Sequence, residues 1–514
     1  MLKRLAPLAL AVLVACLLGH HTLFTPGFDA IQGDEGDSRL VMAMLEHVGL
    51  FVARNPLHAD FFSLPYFFPV EGTVAYSDTM ASLWLPYGVI RLVGLDPFDA
   101  FQGWLLAMTT LNAIAAYLFL RRVIVSQPWA SALGAVLFAA GGSRFCQINH
   151  PQLLPQFYPL LACVCFAKCL STSSRGRGAG WLALAGFLLA AQFWGGFYAA
   201  WFFCFFLLLA LGWSVALTQT RLKVVGLVRQ HWPGLIAGAV SFSVVVGPLA
   251  REYLVAAREV GARAYVDGTF PELMSWFNVG EANWLWGFTN QWSVFQRLPI
   301  EPEQRLGLGL LTPVLVVAAL WRHRRVPVIR LIAIVALSSM VLSTLYRGGH
   351  SPWYFVFNLI PEANAIRGIS RIGLWLLLPA SVGLAKWLET EKRWAWLLAV
   401  ACLAEQRIDM WFFSKAHSRA EIAKVVERVR DAPHGCQVFF YAPEGSADPA
   451  YEAHLDAMFA TFELELPTIN GYSGNVPPGW SFSEFTDAAT DDAKLTAWLS
   501  RNHMLDLDNL GIFH

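Results

Sequence analysis

Charge is what this sequence has least of: Asp, Glu, Lys and Arg make up 14% of 514 residues, against roughly a quarter in soluble domains. Acids and bases balance at 37 each. The whole chain therefore gives no argument for nucleic acid or for an acidic partner, and its charges must be read by position. Gly-x4-Gly-Lys-Ser/Thr, His-Glu-x2-His and Gly-x-Ser-x-Gly are all missing, so no nucleotide-driven pump, zinc peptidase or serine hydrolase is indicated. Eight cysteines are present, most of them inside apolar runs, where a thiol behaves as a small hydrophobe. Cys163-Val-Cys165 has no second pair at zinc spacing, so neither a disulfide framework nor a cysteine metal site is expected. There is no internal repeat and no low-complexity tract.

What is abundant is apolar surface. Hydrophobic residues reach 56%, with 21 Trp and 37 Phe, and the mean hydropathy is +0.47. These values describe a polytopic membrane protein with large lipid-facing areas. The first apolar run follows Lys3 and Arg4 and spans 5–18. Leu13-Val14-Ala15-Cys16 resembles a lipoprotein cleavage box, but hydrophobicity continues past Cys16, so an uncleaved first span is expected. Further spans are read at about 99–120, 129–143, 153–170, 181–198, 199–217, 233–250, 306–321, 328–345, 371–388 and 394–410. The run 181–217 is too long for one crossing, and Gly195-Gly196 divides it into a hairpin.

If these spans alternate, Lys3/Arg4, Arg121/Arg122, Arg175/Arg177, Arg221/Lys223/Arg229, Arg322/Arg324/Arg325 and Lys392/Arg393 all fall on one side. That parity places the N-terminus in the cytoplasm of a multi-pass inner-membrane protein with about eleven crossings. The expected fold is an all-α transmembrane bundle over 1–410, with a large first outer loop at 25–98. A small α+β extracytoplasmic domain is expected over 411–514. Within the first loop, 80–95 is apolar but short and holds Pro86, Gly88 and Arg91, so it is expected to lie along the membrane surface.

The first outer loop opens with Asp34-Glu35-Gly36-Asp37, three carboxylates within four residues. So much negative charge near lipid is costly unless a cation or a substrate sits among the groups. Asp37 or Ser38 could simply cap a helix starting at Arg39, which leaves Asp34 and Glu35 as the chemistry-bearing pair. Other polar residues of the outer face are Arg144, His150, Tyr253, Arg367 and Arg371. The last two stand four apart, on one face of any helix, and paired guanidinium groups suit a phosphate. A divalent cation, magnesium or manganese, is the one cofactor these groups suggest. Asp34 and Asp37 are its first candidate ligands, and His58, Asp60 and Asp78 are weaker ones.

This arrangement resembles the GT-C superfamily of polyprenyl-phosphate-sugar-dependent membrane glycosyltransferases. The similarity lies in one span, an outer loop opening with Asp34-Glu35, the amphipathic stretch 80–95, a span, and Arg121-Arg122 inside. Asn149-His150-Pro151-Gln152, Gln156-Phe157-Tyr158-Pro159-Leu160 and Ala365-Ile366-Arg367-Gly368-Ile369-Ser370-Arg371 are similar to stretches in uncharacterised bacterial members. The Trp-Trp-Asp motif of the oligosaccharyltransferase branch is absent, which argues against peptide N-glycosylation. Relatives often carry an aromatic residue where Gly36-Asp37 stands, so which carboxylate is the base stays open.

The resemblance implies inverting transfer of a sugar from a polyprenyl-phosphate donor to a glycan, lipid or protein acceptor outside the membrane. Asp34 or Glu35 would be the base, Arg367 and Arg371 with Arg144 would hold the donor phosphate, and Asp37, His150 and Tyr253 would orient substrate. The competing expectations are a flippase for lipid-linked sugars and a non-catalytic envelope assembly protein.

Overall fold

Apolar runs bounded by proline, glycine or basic pairs become helices, and the computed structural model of this chain is mostly helical. It describes residues 2–24, 28–261, 264–265, 268–390, 394–431, 436–443, 449–504 and 510–513. The basic pair Lys392/Arg393 lies outside these described residues. Among them, six helices are long and apolar enough to cross a membrane: Pro97–Ile124, Pro151–Leu170, Arg175–Gly195, Phe197–Ala216, Thr220–Val260 and Ile369–Thr390.

The remaining expected crossings fall on shorter apolar helices: Leu5–His20, Pro128–Ala140, Leu311–Arg322, Pro327–Ser343 and Ala395–Ala404. One shortening has a clear local cause. The run expected from 306 is not helical before Leu311, and Gly309 within it takes a φ of +86°. Its helix then starts at Leu311, where the buried Glu405 carboxylate accepts the amides of Leu310, Leu311 and Thr312.

Helix ends follow local chemistry. The Pro97–Phe119 helix begins with Asp96 accepting the Asp99 amide at 2.9 Å and with proline in its first turn. The 181–217 run breaks at Gly196, whose extended backbone separates Arg175–Gly195 from Phe197–Ala216. Glycine is required at the break: a Cβ on Gly196 would sit 2.9 Å from the Gln152 carbonyl oxygen.

The Arg175–Gly195 helix also packs backbone to backbone on the segment Thr218–Val260, two helices joined at a kink at His231. A Cβ on Gly186 would stand 2.1 Å from the Gly238 carbonyl oxygen. Close approach through small residues is how helices gain dispersion contacts where lipid offers no hydrophobic drive. The expected surface segment becomes a 3-10 turn at Ala81–Leu83 followed by the helix Trp84–Leu92. Leu85, Val89 and Leu92 are exposed on it, and Arg91 is tied to Glu46 at 2.6 Å.

Residues after 410 are bound tightly to the first loop. Phe412–Ser414 pairs antiparallel with Ala30–Gln32. The Lys415 ammonium reaches Asp99 at 2.5 Å and Gln102 at 2.7 Å. The helices Lys415–Arg430 and Ala450–Leu464 and the strand Val438–Tyr441, parallel to Leu510–Phe513, complete this layer. Phe67 and Phe68 donate their amides to Asn470 and Thr468. The segment Tyr472–Asn475 is thereby placed over the start of the first-loop helix.

Candidate functional site

The first-loop helix runs Glu35–Val52, so its cap falls on Asp34 rather than on Asp37 or Ser38. This one-turn difference reverses the expected roles. Asp37 sits in the first turn with its side chain turned toward His150. Asp34 occupies the cap position without a side-chain cap bond, and its Oδ1 is buried without a partner. Burial and the neighbouring Asp37 charge push Asp34 up to about 6. Glu35 turns the other way and pairs with Arg39 at 3.1 Å, while Arg39 also reaches Asp456 at 2.6 Å.

Asp37 opens a linear charge array. His150 Nδ1 lies 2.6 Å from Asp37 Oδ2, and His150 Nε2 lies 3.1 Å from Glu303 Oε1. Arg371 closes the array on Glu303, with Nη2 2.9 Å from Oε1. The Arg371 guanidinium also stacks on the Tyr198 ring at 5.3 Å from its centroid. A carboxylate only accepts, so an imidazole bonded to carboxylates through both nitrogens must donate from both and carry a positive charge. The energetics agree with that geometry. Burial and Arg371 oppose a charge on His150, yet its bonds to Asp37 and Glu303 raise its pKa. Burial would raise the two carboxylates, but His150 and Arg371 hold both below the usual range.

A group with a raised folded pKa contributes its stability in full below its unfolded value, near 6.5. The contribution is lost as pH rises through the folded value. Thermal stability in lipid nanodiscs should therefore decline in the wild type as pH rises above about 6.5, and that decline should be absent in His150→Gln. The substitution itself should cost about 2 kcal/mol below pH 6, where the charged hydrogen bonds are complete. Identical pH profiles for the two proteins would show that the imidazolium does not hold the array.

The array borders a cavity of about 780 Å³. Asp37, His150, Tyr253, Arg367 and Arg371 all line it, joined by Asp78, Gln152, Arg258, Glu362 and Tyr472. Apolar lining comes from Leu254, Ala256, Val260, Phe357 and Ile360. Gln152 Nε2 donates to Asp37 Oδ2 at 2.8 Å, and the Tyr472 hydroxyl donates to Oδ1 at 3.2 Å.

Asp34, Glu35 and Arg144 are not among the lining residues. Arg144 is buried and spends its guanidinium on the carbonyls of Phe138 and Leu154 and on Gln156 Oε1. It pins a turn and does not reach the cavity where a phosphate would sit. Arg367 and Arg371 do not share a helix face as their spacing suggested. Arg367 precedes the 3-10 helix Ile369–Leu376, with non-helical Gly368 between them. They reach one cavity all the same: Arg371 is held by Glu303, whereas the Arg367 guanidinium is exposed with no partner among the described residues.

The cation expected on Asp34 and Asp37 finds a poor donor set. Asp37 is already engaged by three hydrogen-bond donors. Among the described residues no three His, Cys, Asp or Glu side chains are arranged to hold a metal. His58 contacts His47 Nδ1 at 2.8 Å and stacks on Phe462, and Asp60 bonds Ser63, so the weaker candidates are dispersed.

Sequence reasoning overlooked Glu303, Arg258 and Tyr472, and weighed Asp78 only as a metal ligand. These residues come from segments far apart in the chain, and none has a flanking pattern that sets it apart.

No protein-family model and no curated protein matches this sequence. Several solved structures align with it at low identity. The oligosaccharyltransferase of Archaeoglobus fulgidus in the apo form aligns at 12% identity, over 91% of this chain and 64% of its own length, with a TM-score of 0.49. AglB from Archaeoglobus fulgidus, in complex with an inhibitory peptide and a dolichol-phosphate, gives 13% identity over the same shares and a TM-score of 0.45. ArnT from Cupriavidus metallidurans in the apo state gives 14%, 95% of this chain, 90% of its own and 0.40. The chain thus spans less than two thirds of the length of the archaeal enzyme.

Proposed function

We propose that this chain is a membrane glycosyltransferase of the GT-C kind. It would move a sugar from a polyprenyl-phosphate donor to an acceptor hydroxyl on the extracytoplasmic face, with inversion. The observation that carries this reading is the mixed lining of the cavity. Guanidinium groups and carboxylates line it together with apolar side chains from the helical segment that ends at Val260. A lipid-linked phosphosugar likewise joins a charged head to an apolar tail.

Arg367, exposed and unpaired, would meet the donor phosphate together with Arg371. Guanidinium planes match phosphate geometry and neutralise the charge that develops as phosphate leaves. Asp37, His150 and Tyr253 would orient the sugar, and the segment Tyr472–Asn475 would cover the acceptor. The departing group is polyprenyl phosphate, and a carboxylate lining the cavity would take the acceptor proton.

Purified protein in nanodiscs, given a panel of synthetic polyprenyl-phosphate sugars, should release or transfer sugar. Deletion in the host should alter surface glycans and accumulate lipid-linked intermediates. Movement of the lipid between leaflets without a new glycosidic bond would instead establish a flippase.

The topology belongs to the same proposal: eleven crossings, a cytoplasmic N-terminus and the cavity outside. Reporter fusions after Gln127, Ser174 and Thr390 should read cytoplasmic, and those after Ser77, Asn290 and Pro449 external. A cytoplasmic reading at Pro449 would put residues 411–514 on the wrong side of the membrane for this site.

A further inference from the structure

Three carboxylates line the cavity, and their surroundings differ. Glu362 stands at the solvent-exposed rim. Asp37 already accepts from His150 and Gln152 on Oδ2 and from Tyr472 on Oδ1. Asp78 accepts a single bond, from the Phe197 amide at 2.6 Å on Oδ1. Its Oδ2 has no partner among the described residues.

Its position is rigidly built. Tyr253 donates to the Ser77 carbonyl at 3.0 Å, and Thr79 and Ser82 donate to the carbonyls of Trp194 and Ala191 at 2.6 and 2.7 Å. These bonds press the 77–82 segment onto the turn at Gly195-Gly196. A Cβ on Gly195 would meet Ser82 Oγ at 2.9 Å, so the contact depends on glycine there. The Asp78 carboxylate consequently sits at the first amide of the 20-residue helix Phe197–Ala216.

We propose that Asp78 is the catalytic base of the transfer, and that the Asp37–His150–Glu303–Arg371 array is a fixed electrostatic frame beside it. This rests on the transferase reading above. In the step, the acceptor oxygen attacks the anomeric carbon and its proton passes to Asp78 Oδ2. The bond from that carbon to the phosphate oxygen breaks, and its electron pair leaves with polyprenyl phosphate.

The basicity of Asp78 suits the task. Burial and the nearby Asp37 charge, against the Phe197 amide and Arg371, push it up to about 6. Asp37 is held low. The charged and titratable groups facing Asp78 are thus Asp37 from the first-loop helix, Arg371, and Tyr253 from the helical segment that ends at Val260. A base near 6 is ionised at neutral pH yet roughly a hundredfold more basic than an ordinary aspartate.

The test uses the full chain in nanodiscs with a panel of synthetic polyprenyl-phosphate sugars, reading sugar release to water as well as transfer. Asp78→Asn should lower turnover about 10²–10⁴-fold, while affinity for polyprenyl phosphate alone stays within about threefold of wild type. Wild-type turnover should fall below pH 6, and that limb should vanish from the residual activity of Asp78→Asn. Asp78→Glu should recover part of the rate, which separates a lost base from a misfolded loop. Asp34→Asn should reduce turnover far less than Asp78→Asn.

Near-normal turnover in Asp78→Asn, or an acid limb that persists in it, would overturn the assignment and leave the transferase reading standing. No turnover by the wild type across the panel would overturn both.

Discussion

Replacing Glu405 with alanine should lower the stability of the protein by about 4 kcal/mol, among the largest effects expected of any single substitution. The carboxylate is 1% exposed and satisfies five donors at once. These are the amides of Leu310, Leu311 and Thr312, the Thr312 hydroxyl and the Trp286 indole, at 2.8–2.9 Å. An anion at the start of the Leu311–Arg322 helix also meets the positive end of its dipole. Alanine would remove the acceptor of three backbone amides and the Trp286 indole, whereas the Thr312 hydroxyl keeps the Cys402 carbonyl.

Glutamine would keep one acceptor but turn an NH₂ toward groups that can only donate, for a cost of roughly 2 kcal/mol. The measurement is the thermal midpoint in nanodiscs, ordered wild type, Glu405→Gln, Glu405→Ala. A Glu405→Ala midpoint equal to that of the wild type would mean that these donors find water instead. The bonds from Asn283 to the Glu405 backbone carbonyl and from Gln406 to the Leu308 carbonyl do not involve the carboxylate and would remain in Glu405→Ala.

Arg371→Ala should be nearly as damaging, and for a different reason. Arg371 and Glu303 are both largely buried, so deleting the guanidinium strands a carboxylate that His150 alone must then neutralise. Breaking such a pair from one side costs about 3–5 kcal/mol. Arg371→Lys keeps the charge but loses the two contacts to Glu303, at 2.9 and 3.4 Å, and the stacking on Tyr198. It should fold, with donor affinity weakened about tenfold or more. Arg367→Ala separates binding from architecture. Its exposed guanidinium has no partner to strand among the described residues, so the melting temperature should hold while donor KM rises. If Arg371→Lys and Arg367→Ala both handle donor normally, the two arginines anchor the chain at the membrane boundary and do not grip phosphate.

The fold was legible wherever one physical signal dominated. Long apolar runs such as those of Pro97–Ile124 and Phe197–Ala216 have no soluble alternative, and Gly195-Gly196 could only be a break. Signals that depend on neighbours were not legible. The late helix start at Leu311 is stabilised by Glu405, about 95 residues away in the chain, and no local pattern announces it. At the site, Asp37, His150, Tyr253, Arg367 and Arg371 could be read as candidates from residue type and position in the chain. Their geometry could not.

Composition and periodicity alone therefore determined that this chain is built for a membrane, because transfer free energies are summed along the sequence and need no fold. They also picked out the acidic opening of the first loop, since charge beside lipid is conspicuous anywhere. Only the tertiary structure decided which carboxylate faces the cavity. A helix that starts at Glu35 instead of Arg39 rotates Asp34 and Glu35 away and turns Asp37 in. The partners Glu303, Tyr472 and Asp78 arrive from segments whose approach is set by packing. Hydrogen bonds and charges act over a few ångströms of space, and the distances that matter here join residues up to 435 positions apart.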